Sequence, residues 1–150
     1  MSILLLLHTI SLIASSISLG SLLFYISLQS ILDESLHRAQ LSSLWRRYYT
    51  LNSLLCLIAA ITSILATDKQ TGGYFAILAA SHIFSHTHLA RGIHKLEYES
   101  QNAEPGSESQ QQSLRAFSIM KKIHAMMHII QLIALIYLIG RLAIYTQTLR

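Results

Sequence analysis

The chain has 150 residues, of which 52% are hydrophobic and only 12% charged. A soluble domain carries about 25% charged residues, so this composition argues against a free cytosolic enzyme. The single cysteine, Cys56, excludes an intramolecular disulfide framework, and one proline with six glycines excludes collagen-like and Pro-rich classes. The expectation is a small all-α integral membrane protein.

A helix needs about 20 mostly apolar residues to cross the roughly 30 Å hydrocarbon core, at about 1.5 Å per residue. In chain order, four stretches qualify: 3–28, 49–66, 73–90 and 117–145, the third being the least apolar. The first lacks a basic leader, since no Lys or Arg precedes Arg38, and it is too long for a signal-peptide core. It reads as a retained helix. The link over 29–48 holds Asp33, Glu34, His37, Arg38, Arg46 and Arg47, with Trp45, Tyr48 and Tyr49 where an interfacial aromatic belt would sit. The link over 67–73 reads as a tight turn that includes Gly72 and Gly73. The link over 97–113 is acidic, rich in Gln and Ser, and reads as mobile. The segments are long and show no period-2 alternation, so strands do not fit. Backbone groups in lipid must satisfy one another, which leaves helices. The predicted architecture is one transmembrane domain over 1–150, an up-down-up-down four-helix bundle.

Of the eleven Lys and Arg, eight fall on the face that carries the first and third links (Arg38, Arg46, Arg47, Arg91, Lys95, Arg115, Lys121 and Lys122). Lys69, Arg141 and Arg150 fall on the other. The positive-inside rule then places both long links in the cytoplasm and both termini on the non-cytoplasmic side. The net charge of +4 is thereby a topology signal and a preference for anionic headgroups, with no need of nucleic acid.

Helices in lipid associate through small residues and hydrogen bonds. Each predicted span carries a matching stripe: His8, Ser11, Ser15, Ser18 and Leu22; Asn52, Cys56, Ala59 and Ser63; Ser81, Ser85 and His88 beside His82 and His86; Lys121, His124, His128 and Gln131. The serines read as packing, and so does Cys56. Six of the eight histidines fall in two short segments, SHIFSHTHLARGIH and KKIHAMMH. His82/His86 and His124/His128 are i,i+4 pairs, each expected to share a helix face, and both pairs fall at similar depth in the cytoplasmic half. Ionisable groups inside a membrane mark a site by default, and imidazole is the commonest metal ligand and a haem ligand. His82, His86, His124 and His128 are therefore the expected metal or cofactor ligands. Asn52 and Gln131 are placed to orient imidazoles. His37, His88 and His94 read as wet interfacial residues. His8 stands alone near the opposite end, in reach of Lys69, Arg141 or Tyr145. Carboxylates are scarce in the spans, which argues against a Glu-rich di-iron centre or a hard-cation site. Met126 and Met127 beside His128 read as apolar filler that offers thioether to Cu(I).

The segments LLLLHTISLIASSISLGSLLF, LHRAQLSSLWRRYYTLNSLL and MKKIHAMMHIIQLIALI resemble those of a group of small four-helix membrane proteins. That group comprises the copper-resistance protein D-like domain, the HemJ-type protoporphyrinogen oxidases and the transmembrane protein 205 family. The resemblance spans most of the chain as an architecture, and His8, Arg38, His124 and Gln131 match as residues. It implies haem b or copper, with His8 as a ligand position. The chain departs from the HemJ-type pattern at Phe24-Tyr25-Ile26-Ser27 and at Lys122-Ile123-His124-Ala125-Met126.

The expected function is thus the holding of haem b or copper by histidines, for electron transfer or oxidation of a lipophilic small molecule. Two other classes fit the sequence: a non-catalytic accessory or scaffold subunit of an oligomer or larger membrane complex, and a proton or metal transport protein. No complete catalytic constellation is visible, so catalytic residues are not assigned.

Overall fold

A computed structural model describes residues 2–32 and 38–148, and of these the side chains at 2–27 and 44–148. His37, Asp33 and Glu34 lie outside the described residues, as does the side chain of Arg38. The described chain is all-helical: α1 (Ile3–Leu32), α2 (Arg38–Leu65), α3 (Lys69–Phe84), α4 (Arg91–Asn102) and α5 (Glu108–Thr148). A π-helical segment, Ser85–Ala90, joins α3 to α4 with helical dihedrals on both sides, so the two form one continuous rod. α1 packs against α2 and α5, α2 against α3, and α5 against α4 and α3. Three stretches, Ile3–Ser27, Leu44–Leu65 and one within Glu108–Thr148, are long and apolar enough to cross a membrane. α3 alone has 16 residues, and the expected third span reaches its length only by running on through the π segment.

Several boundaries differ from those expected. α2 starts at Arg38 rather than 49, α3 at Lys69 rather than 73, and α5 at Glu108 rather than 117. Hydropathy marks the apolar part of each helix, whereas backbone hydrogen bonding continues into polar residues wherever a cap is supplied further out. The link expected over 97–113 is helical except at 103–107. There Ala103 is extended, Gly106 takes φ 81°, and Ser107 Oγ accepts the Gln110 backbone N–H at 3.2 Å. Gln110 Oε1 reaches back to the Gly106 N–H at 2.8 Å, a variant of the reciprocal capping box.

The turn between α2 and α3 is shorter than expected. Asp68 N–H donates to Ser63 O and Thr67 N–H to Ile64 O, both at 3.0 Å, around Thr67 at φ 70°. This is a Schellman stop with threonine where glycine is usual. Asp68 then caps α3, accepting the Thr71 N–H at 3.1 Å. Gly72 and Gly73, expected in the turn, lie inside α3. Gly72 faces the Ala60 carbonyl and the Ile64 side chain so closely that a Cβ would collide with both.

The interior is small and polar, and the exterior apolar. His8, Ser11, Ser15, Ser18 and Leu22 of α1 and Asn52, Cys56, Ala59 and Ser63 of α2 are all buried. Ile13, Ile17, Ile61, Ile77, Ile133 and Ile136 are exposed. Hydrogen bonds tie the interior together: Ser63 Oγ donates to Ser11 Oγ at 3.1 Å, and Ser11 Oγ lies 2.5 Å from Thr62 Oγ1. Ser18 and Ser21 donate to Asn52 Oδ1 at 2.5 and 2.9 Å. Gln131 Nε2 donates to Ser81 Oγ at 3.1 Å across α3 and α5.

Candidate functional site

One end of the interior is built from rings. α2 brings Trp45, Tyr48 and Tyr49, α1 brings Tyr25, α3 brings His82, and α5 brings His124 and His128, all of them buried. The spacing explains the convergence. Positions 45, 48, 49, 52, 56, 59 and 63 recur at three and four residues, so they share one face of α2. The three aromatics expected as an interfacial belt are all buried and continue the seam, and because α2 begins at Arg38 rather than 49 they lie inside the helix and turn inward. The i,i+3,i+4 continuity with Asn52 and Cys56 was the signal for this in the sequence.

At the centre of the cluster stands the Tyr49 hydroxyl. It hydrogen bonds His124 Nε2, and His128 Nε2 lies 3.2 Å away. The two imidazole rings are 4.5 Å apart between centroids and nearly perpendicular, at 88°. A single hydroxyl has one proton and two lone pairs, so it can donate to one imidazole and accept from the other. Trp45 stacks on His124 at 5.1 Å and 15°. Tyr25 stacks on Tyr48 at 4.2 Å and 14°, and the ring of His128 lies 5.2 Å from that of Tyr25. Tyr48 stands edge-on to His82 at 6.3 Å and 5.9 Å from His128. Among the described residues, both ring nitrogens of His82, Nδ1 of His128, the Tyr48 hydroxyl and Trp45 Nε1 have no hydrogen-bond partner.

The expected ligands divide. His124 and His128 share a face as expected and converge on Tyr49. His82 is fully buried beside Tyr48. His86 stands within the π segment and is half-buried, with its ring 5.9 Å from Tyr49, so both histidines of the pair reach the tyrosines of α2 but at unequal burial. His8 is buried at the far end, stacked on Tyr145 at 5.8 Å, apart from the cluster. His88 is exposed against Phe84, and His94 is half-buried, packed on Trp45 and 3.9 Å from Glu97. Asn52 and Gln131, expected to orient imidazoles, direct their hydrogen bonds elsewhere. Asn52 bonds Ser18, Ser21 and the Tyr48 carbonyl, and Gln131 bonds Ser81 and Ser85. Serines lie within reach of both amides and take those bonds. Cys56 is buried against Ser18, with 3.8 Å between Sγ and Oγ.

Among the described residues, no three His, Cys, Asp or Glu side chains form a metal-holding group. What the cluster offers a metal is two imidazoles and one phenol. Two histidines at i,i+4 with converging nitrogens suit a single transition-metal ion. A macrocycle held between His82 and His128 would have to displace Tyr48, whose ring lies against both. The residues as packed therefore suit an ion better than haem. A cleft of about 300 Å³ lies between α3 and α5, lined by Tyr74, Ile77, Leu78, Met127, Gln131 and Tyr137 and by none of the cluster's rings.

Comparison with protein-family models, with curated proteins and with solved structures finds no match to this chain.

Proposed function

We propose that the chain is an integral membrane protein, an up-down-up-down four-helix bundle that holds a copper ion at His124, His128 and Tyr49. In this reading it serves electron transfer or the oxidation of a lipophilic small molecule. Both termini lie on the non-cytoplasmic side, and the bundle sits in lipid either alone or in a larger complex. The cross-helix pairs support the alternating course: Ser11 meets Ser63 while Ser18 meets Asn52, and His8 meets Tyr145 while Tyr25 meets His128. The isoleucine-covered exterior around a hydrogen-bonded interior supports the lipid environment.

The observation that carries the metal reading is the convergence of two imidazole Nε2 atoms on one phenol oxygen inside the bundle. Bound copper would supply the one-electron chemistry that imidazole and phenol alone do not. The chain's own part is to present the two nitrogens on one face of α5 and to hold the phenol opposite them from α2. Trp45 keeps the His124 ring in place by stacking. The α3–α5 cleft beside Met127 and Gln131 has the apolar lining a lipophilic substrate needs.

The test is metal quantification and an optical spectrum on detergent-purified protein from copper-supplemented cells. Roughly one copper per chain is expected from a single two-imidazole site. It should be lost in His124→Ala and in His128→Ala and kept in His8→Ala. Protein free of copper, or copper unaffected by either α5 substitution, overturns the assignment. A Soret band would replace copper with haem. A reporter fused to each terminus tests the topology, and a cytoplasmic terminus inverts it.

A further inference from the structure

Beside the buried cluster lies a second cavity of about 460 Å³, lined by Trp45, Arg46, Arg47, His86, Arg91 and His94. Arg46 and Arg47 come from α2 and Arg91 from the start of α4, so three guanidiniums from two rods face one space. All three are exposed, and among the described residues none of them is in an ion pair. Like charges gathered in one space repel one another, and guanidinium forks match an oxyanion with several acceptor oxygens. The depth is informative as well. The apolar stretch of α2 opens at Leu44, which sets Arg46, Arg47 and Trp45 at the level of lipid headgroups in the membrane reading. A second crevice, about 200 Å³, lies between α1 and α2, with walls of Phe24, Tyr25, Leu44, Tyr48 and Leu51. Arg47 lines both. A polar chamber and an apolar crevice joined at one arginine suit a molecule that is anionic at one end and hydrocarbon at the other.

We propose that this cavity binds the phosphate headgroup of an anionic membrane lipid, with Arg46, Arg47 and Arg91 on the phosphate and an acyl chain along the Phe24–Leu51 crevice. The proposal rests on the membrane reading and is independent of the metal. Trp45 and His86 line the cavity from one side, while from the other Trp45 stacks on His124 and His86 lies against Tyr49. A bound headgroup would therefore press on the ring cluster from outside.

Trp45 is the only tryptophan of the chain, so its fluorescence reports the cavity directly. Full-length protein in neutral detergent micelles is titrated with short-chain phosphatidylglycerol, with phosphatidylcholine and with glycerol phosphate. Native mass spectrometry counts retained lipid. Phosphatidylglycerol should shift the emission and remain bound, and phosphatidylcholine should not. The double variant Arg46→Gln/Arg91→Gln should bind phosphatidylglycerol roughly tenfold or more weakly, since each basic group near a headgroup contributes substantially to anionic-lipid binding. Arg115→Gln/Lys122→Gln removes the same charge from exposed positions of α5 outside the cavity lining and should leave binding unchanged. Arg91→Gln alone, an exposed change, keeps the test open should the double variant not fold. Equal weakening in both double variants would mean diffuse surface charge and overturn the proposal, as would unaltered binding in the cavity variants. Saturation by glycerol phosphate alone would assign the cavity to a soluble phosphate ester instead. Release of the protein from vesicles by alkaline carbonate would refute the membrane reading itself, which separates that failure from failure of the cavity.

Discussion

Tyr48 and Tyr49 are adjacent, both buried, and differ in one respect: the Tyr49 hydroxyl hydrogen bonds His124 and His128, whereas that of Tyr48 has no partner among the described residues. Phenylalanine at either position deletes one oxygen and leaves the ring packing intact. Tyr49→Phe removes the buried partner that two imidazole nitrogens share. Hydrogen bonds between membrane helices are worth about 0.6 kcal/mol on average and up to about 1.7, and an orphaned buried polar group costs about 1–3 kcal/mol. Two lost bonds therefore place the cost at about 1–3 kcal/mol. Tyr48→Phe removes a hydroxyl that is already unsatisfied, so it should be neutral or stabilising by up to about 1 kcal/mol. The measurement is reversible unfolding in mixed micelles on chelator-washed protein, which keeps any metal out of the comparison. The two variants should separate by about 2 kcal/mol. Equal destabilisation would refute the hydrogen-bond assignment, and a larger loss for Tyr48→Phe would reverse it.

The turn and the polar seam give further tests by the same assay. Thr67 holds φ 70°, a conformation costly for a β-branched residue, so Thr67→Gly should stabilise by about 1 kcal/mol; a loss would mean the threonine side chain is needed there. Gly72→Ala drives a Cβ into the Ala60 carbonyl and Ile64 and should cost about 1–3 kcal/mol as overpacking, whereas Gly73→Ala, with open space around its Cα, should gain from helix propensity. Ser18→Ala leaves Asn52 Oδ1 still bonded by Ser21, so its cost should stay under about 1 kcal/mol; Asn52→Leu, which takes the shared acceptor from both serines and leaves Ser21 only the Ser18 carbonyl, should cost more.

Much of the fold was legible in the sequence because the two signals that place membrane helices are local. Apolar run length located three of the long helices, and every residue of the small-residue stripes expected on α1 and α2 is buried, though Ala14, Tyr25, Ala60 and the three α2 aromatics join those faces without being in the stripes. Helix ends were not legible. They depend on caps such as Ser107 with Gln110, and on the Schellman stop at Thr67, whose residue is the wrong type for its conformation. The third rod was misjudged for a different reason. A π segment interrupts the α-helical register after Phe84, and nothing in SHIFSHTHLA announces it, so the unequal burial of His82 and His86 was not legible. His124 and His128 were placed together because α5 is regular where they stand.

The polar interior is not uniform along the bundle, and the contrast bears on why the ring cluster exists. Near the seam formed by Ser11, Ser18, Asn52 and Ser63, serine and amide groups answer one another. At the ring cluster they do not: among the described residues both nitrogens of His82, the Tyr48 hydroxyl, Trp45 Nε1 and His128 Nδ1 have no hydrogen-bond partner. In the membrane reading both ends face the same requirement, since lipid offers no water to a stranded donor or acceptor. Serines were available to α1 and α2 as the inexpensive answer, and the seam uses them. Placing four bulky rings and three imidazoles instead, with several donors and acceptors left over, is a poor way to hold helices together and a reasonable way to receive something that brings its own bonds. Two of these groups, His82 and Tyr48, stand edge-on to each other at 6.3 Å, whereas the Tyr49 hydroxyl is already shared by His124 and His128. A ligand that meets them should therefore respond to His82→Leu and Tyr48→Phe together, while a metal confined to the α5 pair should not; titrating copper into both variants tells which side of the cluster the chemistry occupies.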